Sequence, residues 1–142
     1  MFPTLLLLAC TPDTSAETGD TGTDFGTDCG EPTTYDVAFR VKVVDVRGAG
    51  IRDAAVSLED RGYTFTSLGA ASTGADGTVA FTAVGVTSLP DCWGTLLDYW
   101  LVAEDAADAS RRVEDDMNTQ LFNAIDDGSL SVDVTEFPLV LE

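Results

Sequence analysis

From Val37 to Leu58 apolar and polar residues alternate with the two-residue period of strands that keep one face in a core. Val37, Phe39, Val41 and Val43 take one phase, and Ala38, Arg40, Lys42 and Val44 the other. Gly48-Ala49-Gly50 then turns the chain into a segment carrying Ala54, Val56 and Leu58. After a turn at Arg61-Gly62, Tyr63, Phe65 and Ser67 are expected to continue on one face. Ala75-Asp76-Gly77 supplies the Asp-Gly dipeptide that accepts the positive φ of a hairpin, with Val79, Phe81 and Ala83 on the partner strand. Leu97, Tyr99, Leu101 and Ala103 alternate again, and residues 129–135 and 138–142 are expected to complete the sheet.

One segment departs from this period. Val113, Met117, Leu121, Phe122 and Ile125 recur at helical spacing, and Asp126-Asp127-Gly128 offers a glycine stop. Glu114, Asp115 and Asp116 would form an acidic first turn, suited to the positive end of the helix dipole. Short strands separated by glycine turns predict an all-β, two-sheet antiparallel sandwich with one short helix near the C-terminus.

The order of three phrases adds to this. Asp45-x-x-Gly48-x-Gly50-Ile51-x-Asp53-Ala54-x-Val56-x-Leu58 is followed by Thr73-Gly74-Ala75-Asp76-Gly77-x-Val79-x-Phe81, then by Tyr99-x-Leu101-x-Ala103. Together they resemble the carboxypeptidase regulatory-like domain. Gly50 stands where that family commonly has proline, and residues 85–95 replace its usual short turn. The resemblance implies an Ig-like, transthyretin-like (prealbumin-type) sandwich. It also implies an accessory module that positions neighbours or offers adhesive surface, with no catalytic residues of its own.

The 142 residues leave room for one domain of about 100 residues beside a polar leader. The formal net charge of -18 makes nucleic acid an improbable partner. Its distribution is uneven. Asp13, Glu17, Asp20, Asp24, Asp28, Glu31 and Asp36 lie in a stretch without Lys or Arg, and after Gly62 only Arg111 and Arg112 oppose the carboxylates.

The leader has two parts. Met1 to Cys10 is an apolar run too short to span a bilayer as a helix, and Leu7-Leu8-Ala9-Cys10 resembles the bacterial lipobox. That resemblance implies a signal peptide over residues 1–9 and acyl chains on Cys10; a frayed apolar terminus with a chance cysteine is the alternative. Thr11 after the cysteine favours the outer membrane or cell surface by the same resemblance. Residues 10–34, rich in Thr, Asp and Gly, have too little apolar area to offset the entropy of ordering and are expected to be a flexible acidic tether. The sandwich is expected over residues 35–142.

With Cys10 assigned to lipid, Cys29 and Cys92 remain as a disulfide pair for an oxidising compartment, or as two free thiols. The absence of histidine excludes Ser-His and Cys-His dyads and the His-Glu-x-x-His metalloprotease site, and no cofactor is expected. What remains are surfaces. Trp93 and Trp100 are candidate anchors for a sugar or a protein, or else cover a second apolar patch beneath the helix. Weak calcium candidates are Asp105 and Asp108 with Glu104, and Asp115, Asp116, Asp126 and Asp127 with Glu114. The expected function is a non-catalytic, lipid-anchored envelope protein with a structural or adhesive β-sandwich. Its partners would be the membrane, through the acyl chains, and an envelope protein or glycan. A calcium- or carbohydrate-binding surface module is the alternative.

Overall fold

The alternation at Val37, Phe39, Val41 and Val43 becomes the buried face of a 13-residue strand, β1 (Thr33–Asp45), in the computed structural model, which describes residues 29–94 and 96–142. The expected signal segment, Cys10 and residues 11–28 of the expected tether lie outside the described residues. After β1 come β2 (Ala55–Asp60), β3 (Ser67–Ser72), β4 (Thr78–Ser88), β5 (Tyr99–Asp105), β6 (Asp108–Asp116), one helix α1 (Asn118–Asp126), β7 (Ser131–Asp133) and β8 (Leu139–Leu141). Among the described residues the fold is the expected all-β sandwich with a short helix near the C-terminus. One sheet runs β3-β2-β5-β6, antiparallel throughout. The other is built on β1, which pairs antiparallel with β4 and parallel with the two short C-terminal strands, Ala38 opposite Ser131 and Val43 opposite Leu139.

The inward phases of both sheets fill one core. Phe39 stacks on Phe81 with centroids 5.4 Å apart, and Leu58, Leu101 and Leu141 are fully buried beside them. Tyr99 is the largest buried side chain, and its hydroxyl is not orphaned. It donates to the Thr87 carbonyl at 3.0 Å and accepts from the Thr87 N–H at 2.9 Å, while burial pushes its pKa up to about 12.

The two glycine-centred phrases meet where β1 ends. Val43 N–H donates to the Gly77 carbonyl at 2.8 Å, and Ile51 N–H donates to the Val43 carbonyl at 3.0 Å. Gly77 has φ 82°, as the Asp-Gly reading expects. The turn does not close a hairpin within one sheet, however: β3 and β4 belong to different sheets, so Asp76-Gly77 carries the chain across the sandwich.

Two other expectations are corrected. Tyr63, Phe65 and Ser67 do not share a strand face, because β2 ends at Asp60. The Asp60 carboxylate, 1% exposed, accepts hydrogen bonds from the N–H groups of Gly62, Tyr63 and Thr64 and from the Thr64 hydroxyl, which winds the backbone into a loop. Phe65 consequently sits at φ 56° and is 75% exposed. Val113, Glu114, Asp115 and Asp116 are the end of β6 rather than the start of the helix, since their backbone pairs with β5, with Val113 opposite Ala103 and Asp116 opposite Trp100. Helix α1 then has no acidic residue in its first turn, although the Asp116 carboxylate accepts from the Asn118 N–H at 2.7 Å. Its end is as expected: Gly128 has φ 76° and donates to the Ile125 carbonyl.

Candidate functional site

Adjacent residues on a helix point about 100° apart, so Leu121 and Phe122 cannot both face the core. Leu121 is buried with Ala124, and Phe122 is left 42% exposed. Its ring meets Trp93, centroids 5.9 Å apart and edge-on, while Tyr99 lies 5.9 Å from Trp93 on the core side. The Trp93 indole N–H donates to the Asn118 carbonyl at 2.8 Å, joining the loop before β5 to the first turn of α1. A disulfide fixes the same loop from the other side. Cys92 is bonded to Cys29, with Cα atoms 4.9 Å apart, and the Asp91 N–H donates to the Cys29 carbonyl.

Two shallow hollows share Trp93 and Phe122. One, of about 370 Å³, is completed by Tyr35, Ser88, Pro90, Ile125 and Asp126; the other, of about 350 Å³, by Gly94, Asn118 and Thr119. In the first, the Tyr35 and Ser88 hydroxyls and the Asp126 carboxylate make no hydrogen bond or ion pair among the described residues. A concavity lined by aromatic side chains together with unengaged polar groups is a form that binding sites take. The sequence pattern points to Phe122 only as part of the helical stripe and does not point to Tyr35 or Ser88 as site residues. The signal available for Phe122 was its place beside Leu121; for Tyr35 and Ser88, paired strands bring them together from 53 residues apart, and no local signal exists.

Trp100 belongs elsewhere. It takes the phase opposite Tyr99 on β5 and faces outward, its indole N–H donating to Asp98 at 2.6 Å. The Arg61 guanidinium covers the ring at 5.3 Å and donates to both Glu59 and Glu114 at 2.7 Å. Arg112 extends the network from Glu114 to Glu104. The two tryptophans therefore do not form one surface.

Hydrogen bonds from Arg61 and then Arg112 pull the Glu114 carboxyl down to about 2. A carboxylate held this low in the folded state contributes stability that is complete above its ordinary value near 4.5 and is lost as pH falls towards about 2. Melting temperature followed across that window should fall less steeply in Glu114→Gln than in the native chain, by about 3 °C for a partly exposed network. Parallel curves would show that the network adds nothing.

The remaining acidic candidates are dispersed. Asp105 pairs with Arg111 and accepts from the Ala107 N–H; Asp108 accepts from the Ser110 N–H and hydroxyl. Asp127 accepts from the Ser129 N–H, Asp115 is exposed on β6, and Asp126 lines the hollow. Local hydrogen bonds hold the carboxyls of Asp108 and Asp127 below the usual range. Among the described residues no three acidic or cysteine side chains gather to hold a metal ion.

The chain matches no family model, no curated protein and no solved structure. Its functional reading therefore rests on its own residues.

Proposed function

We propose that this chain is an exported, lipid-anchored, non-catalytic module, held at the bacterial envelope through Cys10, that engages a partner through the hollow beside Trp93 and Phe122. The observation that carries the reading is the Cys29–Cys92 bridge. Disulfides belong to oxidising compartments, and this one ties the end of the acidic leader to the loop that forms one wall of the hollow. The bridge thus supports both export and a fixed wall for the binding surface. Acyl chains on Cys10 would supply stable attachment, each buried methylene contributing about 0.8 kcal/mol. The absence of histidine and the shallowness of the hollows support a binding role over a catalytic one.

The anchor is tested by expressing the full chain and Cys10→Ser in a Gram-negative host fed a clickable palmitate analogue. The native chain should take up label and sediment with the envelope, whereas Cys10→Ser should be unlabelled and leave the membrane fraction. Equal labelling of the two, or none in the native chain, would contradict the proposal.

A further inference from the structure

We infer that the hollow formed by Trp93, Phe122, Tyr35 and Asp126 takes the cationic side chain of a lysine- or arginine-bearing peptide segment, with Asp126 as its counter-charge. This rests on the binding-module reading above and names the chemistry of the partner.

Three observations carry it. Most carboxylates placed at turns here are occupied by their own backbone, as at Asp45, Asp76, Asp108, Asp127 and Asp133, but Asp126 has no partner among the described residues. None of the seven basic residues lines either hollow, and the chain carries a net charge of -18, so the field at the rim favours an incoming cation. Trp93, Phe122 and Ile125 line the hollow and offer apolar surface to the methylene stem of a long basic side chain, and Asp126 and Tyr35 line it with polar groups suited to the charged head.

A neutral sugar fits less well. The Trp93 indole N–H already donates to Asn118, so it is closed to a sugar hydroxyl. Tyr99 and Phe122 flank the same ring, which limits it as a stacking platform. A cation beside the exposed Phe122 ring gains attraction from its π-system as well as from Asp126.

The test uses the full chain carrying Trp100→Phe, which leaves Trp93 as the sole indole. It is titrated with a capped Gly-Arg-Leu-Gly peptide, with the same peptide bearing Glu in place of Arg, and with a neutral oligosaccharide, cellotetraose. The arginine peptide should shift Trp93 emission saturably and the glutamate peptide should not. Asp126→Asn should weaken the arginine peptide about tenfold, the expected effect of removing a charged hydrogen-bond partner, and Tyr35→Phe about threefold. Asp126 is exposed and Tyr35 half-buried, and an unchanged melting temperature identifies each variant as folded. Equal responses to the two peptides, or unchanged affinity in Asp126→Asn, would overturn the inference. A response to cellotetraose alone would overturn it while leaving the binding-module reading in place; silence with all three probes would overturn both.

Discussion

Replacing Cys29 and Cys92 together by serine is expected to lower the free energy of unfolding by about 4 kcal/mol, measured by guanidinium denaturation at equilibrium. The bridge closes a loop between residues 63 apart in sequence, and the unfolded chain recovers the corresponding entropy when it is removed. A domain of this size has a total stability of roughly 5–15 kcal/mol, so the loss decides whether it stays folded on mild heating. The same substitution frees the loop that carries Trp93, so its emission should move towards that of solvated indole before global unfolding. A loss below about 1 kcal/mol would mean that the loop is held by its other contacts and that the bridge is dispensable.

Gly77→Ala is expected to cost about 3 kcal/mol or more, from strain and overlap acting together. At φ 82° an added Cβ would lie 2.3 Å from the Val43 carbonyl oxygen and 2.7 Å from the Gly50 Cα. Both are backbone atoms and cannot rotate aside. Gly50 is closed in the same way, its Cβ position lying 2.1 Å from the Asp76 carbonyl oxygen. Gly48 provides the control, since it has φ 85° but nothing within 4 Å of an added Cβ. Gly48→Ala should therefore cost only the left-handed backbone term, about 1–2 kcal/mol. Equal losses at the two sites, measured by urea denaturation, would show that the close approach at the end of β1 is not what requires glycine at position 77.

These two positions also mark what could be read from the sequence. The alternation in β1 and β5 and the glycine turns were legible because a strand with one buried face must repeat every second residue. The helix was legible from Leu121 and Ile125, but its start was not. Val113 and Met117 are four apart and imitate a helical stripe, whereas Val113 is half-buried in β6 and Met117 lies beyond that strand. Local spacing cannot distinguish these cases when pairing with β5 makes the choice. The loop after β2 was hidden for a related reason. Asp60 reads as a surface acid, yet its buried carboxylate organises the next four residues and turns Phe65 outward. The candidate site was half visible: Trp93 stood out as an aromatic beside a cysteine, while Tyr35, Ser88 and Asp126 reach it only through strand pairing and helix placement.

A non-reducing peptide map of the protein recovered from the cell envelope, with free thiols blocked during lysis, tests most directly whether the wall of the hollow is clamped in an oxidising compartment. One peptide pair linked through Cys29 and Cys92 is expected, with neither cysteine carrying the blocking group. Recovery of both as blocked thiols would contradict it, because the protein would then reside in a reducing compartment and the wall of the proposed site would not be clamped.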